Sequence, residues 1–145
     1  MAYKRKQSQE DKEQAALCRY IRLQYPKALL FTDLAGVNLA SHKARAKYKQ
    51  RNPNRGWNDI IIFKRCEGVG SALMIEFKSS KVKLTAAKVA KDKHLKEQRA
   101  LHLRLIEEGY YAVFAVGLDE AIEVVDAYFK RDKDFLLIHS QKYLV

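Results

Sequence analysis

Two short apolar segments joined by a tight turn constrain the fold of this chain more than any other feature. They read DIIIFK at 59–64 and SALMIEFK at 71–78, and the turn between them carries two glycines. This pattern predicts an antiparallel β-hairpin. A buried hairpin should be apolar, yet Asp59, Glu76 and Lys78 lie within these segments. The hairpin is therefore the predicted centre of the sheet and also the place where charge needs an explanation.

The simplest turn for this hairpin is a four-residue loop between Arg65 and Gly70, and counting outward from it places Asp59 opposite Glu76. Directly opposed residues of antiparallel strands point to the same side of the sheet, with Cβ atoms about 4.5–5.5 Å apart. Lys78 lies two residues beyond Glu76 and projects from the same face. Three charged groups are thus predicted to converge on one face, and the other face is wholly apolar.

The flanking segments predict a single α/β domain over residues 1–145, with a central mixed β-sheet flanked by helices. Apolar residues at helical spacing predict helices, and short apolar segments bounded by proline or glycine predict strands. The strand–helix–strand unit across 72–117 predicts a parallel strand pair. The predicted helices cover about 9–25, 94–109 and 118–129, and the further strands cover 28–34 and 110–117.

The remaining segments lack such periodicity. Residues 1–8 are expected to be flexible, and residues 131–145 form a C-terminal extension, either an extra strand or an oligomer contact. Residues 79–93 are predicted to be a basic connector, and residues 36–56 a longer basic loop with room for one helical turn. A solvated connector is the usual explanation of such a charge run, but connections of this length in compact domains are often functional.

The chain is strongly basic, with 28 Lys and Arg against 17 Asp and Glu and a net charge of +11. A polyanion is therefore the expected partner, and nucleic acid is the first choice. An acidic membrane surface or an acidic protein would fit the charge as well. The side chains of the longer basic loop that are predicted to bind nucleic acid are Lys43, Arg45, Lys47, Lys49, Arg51 and Arg55.

Nothing in the sequence predicts secretion or membrane insertion. The N-terminus lacks the apolar stretch of a signal peptide, and no apolar run approaches the length of a membrane span. The two cysteines, Cys18 and Cys66, make no disulfide framework, which is typical of a reducing compartment. We expect a cytoplasmic protein without a membrane partner, or a nuclear one if the host has a nucleus.

Two directly opposed carboxylates repel each other, which costs about 0.2–1 kcal/mol in the open and more when they are partly buried. Such a pair persists if a cation lies between its members or if one carboxyl stays protonated. Mg²⁺ suits Asp59 and Glu76 because it takes one or two carboxylates together with waters and phosphate oxygens. With Lys78 beside it, this arrangement predicts metal-assisted phosphodiester hydrolysis. The alternative is that Glu76 and Lys78 lie on an edge strand while Asp59 caps a turn.

These residues resemble a known family. Asp59 followed by the triplet EFK at 76–78 is similar to the D…(D/E)-x-K pattern of the PD-(D/E)xK nuclease superfamily, whose core is restriction-endonuclease-like. The surroundings resemble the VRR-NUC domain of stand-alone phage nucleases over about residues 10–130, in GWNDIIIF, LMIEFKSS and the segment from EQRALHLRLIEEG onward. The chain departs from the family pattern at Asn58, where proline is usual, and residues 79–93 are longer than usual.

The resemblance implies a metal-dependent DNA endonuclease that uses Mg²⁺ or Mn²⁺. Asp59 and Glu76 would be metal ligands, with the carbonyl of Phe77 as a third. Lys78 would orient or activate the attacking water and stabilise the phosphate in the transition state.

Two further residues enter the implied catalytic set. Glu13 on the first helix would help to hold a metal ion or a water, although a carboxylate near a helix N-terminus is also favoured by the helix dipole. Gln98 would position the lysine or the scissile phosphate. It lies on an apolar helical stripe, where a polar amide needs a partner, and a hydrogen bond to nearby backbone is the alternative.

The resemblance also implies a preference for branched or structured DNA such as Holliday junctions, a homodimer, and the host cytoplasm if the protein is phage-encoded. Two other functions remain open. The first is a non-catalytic nucleic-acid-binding module on the same fold, and the second is a sequence-specific restriction-type nuclease.

Overall fold

The computed structural model describes residues 8–32, 41–52 and 57–143, which form an α/β fold around a four-stranded sheet. The strands are β1 (Leu30–Thr32), β2 (Ile60–Ile62), β3 (Leu73–Lys78) and β4 (Tyr111–Val116). The helices are α1 (Gln9–Gln24), α2 (His42–Arg51), α3 (Ala86–Lys91), α4 (Lys93–Glu107), α5 (Gly117–Lys130) and α6 (Lys133–Gln141). The strands lie in the order β1-β2-β3-β4, and only β3 and β4 are parallel. The predicted class, a mixed sheet flanked by helices, is confirmed.

The two faces of the sheet differ as the hairpin predicts. Ile60, Ile75 and Phe77 point to one face and are buried in the main core against α1 and α5. On the opposite face Met74 packs against α4, and Glu76 and Lys78 follow it along the same side of β3. The charged groups therefore lie under α4, at the carboxyl end of the central strand.

The predicted register of the hairpin strands is confirmed. Ile60 pairs with Ile75, so that Asp59, one residue earlier, lies opposite Glu76. The predicted turn is wrong by one residue, because Gly70 pairs with Cys66 and not with Arg65. The extra residue is absorbed between Ile62 and Cys66, as in a β-bulge.

The longer basic loop contains a ten-residue helix, α2, and not a single turn. Ser41 caps it by accepting a hydrogen bond from the amide of Ala44 at 3.0 Å. None of its residues is buried, so the helix needs no apolar periodicity. Apolar periodicity is the signal from which helices were predicted in the sequence, and it is therefore missing here. The connector at 79–93 likewise contains the short helix α3.

The C-terminal extension contains a helix, α6, so the extra strand that the sequence suggested is wrong and the alternative of an oligomer contact stays a prediction. It buries Leu136 and His139 against the domain. At the other end, Ser8 caps α1 as its S-x-x-[DE] motif predicts, with its hydroxyl accepting from the amide of Asp11 at 3.1 Å. The expected flexibility of residues 1–7, the predicted strand residues 33–34 and the predicted nucleic-acid contact Arg55 lie outside the described residues.

None of the helices in the described part of the chain has the length and apolarity needed to cross a membrane.

Candidate active site

A pair of carboxylates, Glu76 buried and Asp59 half-buried, forms the centre of the site. Asp59 ends the loop before β2, and its Oδ2 accepts a hydrogen bond from the amide of Phe77 at 2.9 Å. Glu76 lies opposite on β3 and is only 5% exposed. The strand pairing therefore holds two acidic groups together where water can offer little screening.

Lys78 and Gln98 close a triangle around one oxygen of Glu76. Lys78 Nζ lies 3.1 Å and Gln98 Nε2 2.6 Å from Glu76 Oε1, and Lys78 Nζ also donates to Gln98 Oε1 at 3.0 Å. The partners of Gln98 are thus site side chains and not the nearby backbone that was the alternative. The other oxygen, Glu76 Oε2, is buried without a hydrogen-bond partner among the described residues.

Burial is the largest influence on both carboxyl groups. It raises the pKa of Glu76, the negative charge of Asp59 raises it further, and Lys78 offsets part of the rise. Burial also raises the pKa of Asp59, against the hydrogen bond from Phe77. Two carboxyl groups this close together and this poorly solvated do not both ionise readily unless a cation neutralises part of their charge.

The helix α1 contributes two glutamates with different surroundings. Glu13 is buried and faces Ser80, whose hydroxyl and amide donate to it at 2.6 and 3.2 Å, while Gln9 donates at 2.8 Å. Burial acts to raise the pKa of Glu13, but these hydrogen bonds outweigh it and the pKa is lowered. Glu13 therefore joins α1 to the segment after β3, and its predicted contact with a metal ion or a water stays a prediction.

Glu10, one turn earlier on α1, also acts on the pair through its charge. Its charge raises the pKa of both Asp59 and Glu76. Sequence reasoning missed it because Glu13 borders the apolar stripe and Glu10 does not. The available signal was their three-residue spacing, which places both on neighbouring parts of one helical face.

A buried hydrogen bond fixes the residue that precedes Asp59. The ring Nε2 of His102 on α4 lies 2.6 Å from Asn58 Oδ1, and both side chains are almost fully buried. Burial, with the nearby charges of Arg99 and Lys78, lowers the pKa of His102 to about 3, so the ring is neutral and donates through Nε2. Asn58 stands where the family pattern has proline, and the α4 histidine fixes it instead.

Five of the six predicted nucleic-acid contacts lie on α2 and are exposed: Lys43, Arg45, Lys47, Lys49 and Arg51. No residue of α2 is buried, and its charged side chains face solvent.

The donor set at the carboxylate pair suits a hard cation. Asp59 and Glu76 offer carboxylate oxygens, and the orphaned Glu76 Oε2 lacks a partner that an ion would supply. Across residues 8–32, 41–52 and 57–143, however, no group of three or more His, Cys, Asp or Glu is placed to hold a metal. The fit is to Mg²⁺ or Mn²⁺ held by two carboxylates with water and substrate oxygens, and a ligand role for the Phe77 carbonyl or Glu13 stays a prediction.

Comparison with solved structures identifies a similar chain described as a VRR_NUC domain protein. The two are 26% identical in sequence, the match covers 87% of this chain and 92% of that one, and the TM-score is 0.60. No family model and no curated protein matches the sequence. The resemblance found in the sequence is confirmed: the chain has the fold of a VRR-NUC domain, which is restriction-endonuclease-like, and this supports a nuclease-type function.

The carboxylate pair should make the protein less stable as pH rises. Folding raises the pKa of Glu76, so the unfolded chain releases the proton of this carboxyl at a lower pH than the folded chain does. The free energy of unfolding therefore falls as the pH rises above the ordinary carboxyl pKa of about 4.3. Glu76→Gln should remove this loss and raise the melting temperature at pH 8 by a few degrees, with little change at pH 4. Thermal unfolding in EDTA across this range tests it, with exposed Glu67→Gln as control. Parallel curves for wild type and Glu76→Gln would contradict the prediction.

Proposed function

We propose that this protein is a metal-dependent DNA endonuclease that hydrolyses phosphodiester bonds. The observation that carries the proposal is the opposed pair of half-buried Asp59 and buried Glu76, which lies beside Lys78 on a VRR-NUC fold. A structural role alone gives no reason to keep two acids in such a place, because their repulsion and desolvation both destabilise the fold.

Asp59 and Glu76 are the residues that would hold Mg²⁺ or Mn²⁺, which supplies a bound water of lowered pKa and positive charge opposite the phosphate. The amide of Phe77 fixes the carboxylate of Asp59, and the Asn58–His102 hydrogen bond fixes the residue before it. These contacts keep the carboxylates in place before any ligand arrives, which is the preorganisation that electrostatic catalysis needs.

Lys78 is the group that would meet the substrate phosphate or the attacking water. An ammonium group has three donors, and two of them are directed to Glu76 Oε1 and Gln98 Oε1. Within the described residues, this leaves one N–H for a phosphate oxygen or a water. Gln98 acts as a positioning residue, because its amide bridges the lysine and the glutamate.

DNA is the proposed partner, and α2 with its exposed Lys and Arg is part of the proposed contact surface. Phosphate contacts of this kind provide affinity without reading sequence, which disfavours the restriction-type alternative. Selectivity for branched DNA and a homodimer follow from the family resemblance, since a two-fold dimer would place two sites on one junction. A single domain acting in the cytoplasm completes the proposal.

Substitution of the site residues should abolish cleavage and spare binding. Asp59→Asn, Glu76→Gln and Lys78→Met should each lower turnover by about 10²–10³-fold, because each removes charge from the reacting centre. Labelled single-stranded, duplex, flap and four-way-junction DNA would be incubated with each variant in Mg²⁺, Mn²⁺ or EDTA. The matched control is Glu67→Gln, a carboxylate exposed at the hairpin turn.

Normal cleavage by any one of the three variants would show that the site is assigned wrongly. Tight binding by the wild type without cleavage in either metal would instead favour the non-catalytic binding module.

Substitution of each of the two α1 glutamates should affect the metal affinity of the protein differently. Glu10→Gln should weaken Mn²⁺ binding by about threefold to tenfold, because it removes a negative charge that acts on both proposed ligands. Glu13→Gln should change Mn²⁺ binding little and lower thermal stability, because Glu13 joins α1 to Ser80. Isothermal titration calorimetry and thermal unfolding of both variants distinguish the roles. The opposite order of metal affinities would restore Glu13 as the metal-side glutamate.

A further inference from the structure

The segment at 79–97, which we call the lysine ledge, leaves the site and returns to it. It begins directly after Lys78 and ends directly before Gln98, and these two side chains are hydrogen-bonded at 3.0 Å. Both ends of the ledge are thus fixed at the carboxylate pair. Ser80 at its start is also held, by hydrogen bonds to Glu13 on α1.

The inner side of the ledge packs into a small apolar cluster that is separate from the main core. Val89 on α3 and Leu95 on α4 are buried together with Phe114 of β4 and Tyr143 near the C-terminus, and Leu84 packs against them. Tyr143 is tied down in turn by its hydroxyl, 3.0 Å from Glu120 on α5. The ledge therefore has a fixed inner side and is not a loose connector.

The outer side of the ledge is rich in lysine. In the extended part, Val82 and Leu84 are half-buried while Lys81 and Lys83 face solvent, and in α3 and α4 the lysines are exposed while Val89 and Leu95 are buried. Within the described residues, none of these lysines comes within ion-pair distance of a carboxylate. The six exposed lysines are Lys81, Lys83, Lys88, Lys91, Lys93 and Lys96.

The acidic residues of the ledge do little to neutralise it. It contains only Asp92 and Glu97. The carboxylate of Asp92 caps α4 by accepting from the amide of Leu95 at 3.0 Å. Six ammonium groups on one fixed surface repel each other and are best satisfied by a polyanion.

We propose that the lysine ledge binds the sugar–phosphate backbone of DNA next to the scissile bond. This rests on the proposed nuclease function, and it assigns the ledge a role separate from the α2 surface. Because both ends of the ledge meet at Lys78 and Gln98, a backbone lying along it leads directly to the carboxylate pair. The ledge contains no Phe, Tyr or Trp on which a base could stack, so the contact is to phosphates and reads no base sequence.

The test compares two variants in which the same number of positive charges is removed. The ledge variant carries Lys81→Gln, Lys83→Gln, Lys88→Gln and Lys91→Gln. The control variant carries Lys64→Gln, Arg65→Gln, Lys130→Gln and Lys133→Gln, all at exposed positions. Lys64 and Arg65 lie by the hairpin turn, and Lys133 lies beside Gly68 of that turn, at the opposite end of β3 from the site.

Fluorescence anisotropy with labelled duplex DNA in EDTA gives the affinity between 50 and 200 mM salt without cleavage. Removing one lysine–phosphate interaction lowers the magnitude of the salt slope by about 0.9. In the ledge variant the slope should fall by about 2–4 and the affinity by about tenfold to a hundredfold at the middle of this range. The control should keep a slope within about 1 of the wild type. Circular dichroism should show unchanged folding in both.

A ledge variant with the wild-type slope, or with a slope reduced no more than that of the control, would overturn the proposal. A cleavage assay in Mg²⁺ or Mn²⁺ distinguishes failure of the ledge proposal from failure of the proposed nuclease function. If the wild type cleaves and the ledge variant binds normally, the ledge assignment fails and the nuclease stands. If the wild type cleaves nothing but the slope of the ledge variant is reduced as expected, the nuclease fails and the ledge stands as a DNA-binding surface.

Discussion

Two carboxylates held face to face by strand pairing are the constraint on which the rest of the site depends. The register that pairs Ile60 with Ile75 leaves Asp59 opposite Glu76, and a shift by one residue would send one of them into the apolar core. Burial raises the pKa of both carboxyl groups, and the negative charge of Asp59 raises that of Glu76 further. The groups around the pair hold the two carboxylates in place and offset part of their repulsion.

The two faces of the sheet divide this work. The face against α1 and α5 is a continuous apolar core, which gives β2 and β3 their fixed relation. The face under α4 carries the proposed active site, since α4 supplies Gln98 to the carboxylate pair and His102 to Asn58. A single helix thus orients both sides of the site, and the ledge that leads into it is anchored by Leu95 from that helix.

The sequence predicted those parts in which local pattern and burial agree. The alternation along β3 indicated the two faces, and the hairpin register followed from the turn even though Gly70 pairs with Cys66. The apolar stripe around Gln98 correctly placed its side chain inward. In these cases the periodicity of the chain and the location of the core impose the same arrangement.

Other parts could not be predicted because they depend on contacts distant in sequence or on no burial at all. The exposed helix α2 has no apolar stripe to reveal it. The hydrogen bonds of Glu13 depend on Ser80, which lies far along the chain. Asn58 could be noted as a departure from the family pattern, but its partner His102 lies 44 residues away. Long-range pairing of this kind leaves no periodic signal.

In the proposed function the carboxylate pair is kept for a divalent cation, and proton release on metal binding tests this role most directly. Mn²⁺ would be titrated calorimetrically into the wild-type protein near pH 7 in buffers of different ionisation enthalpy. A pair whose acids resist joint ionisation should release about one proton as the metal binds, and Glu76→Gln should bind weakly and release none. Binding without proton release, or release that is unchanged in Glu76→Gln, would contradict the account.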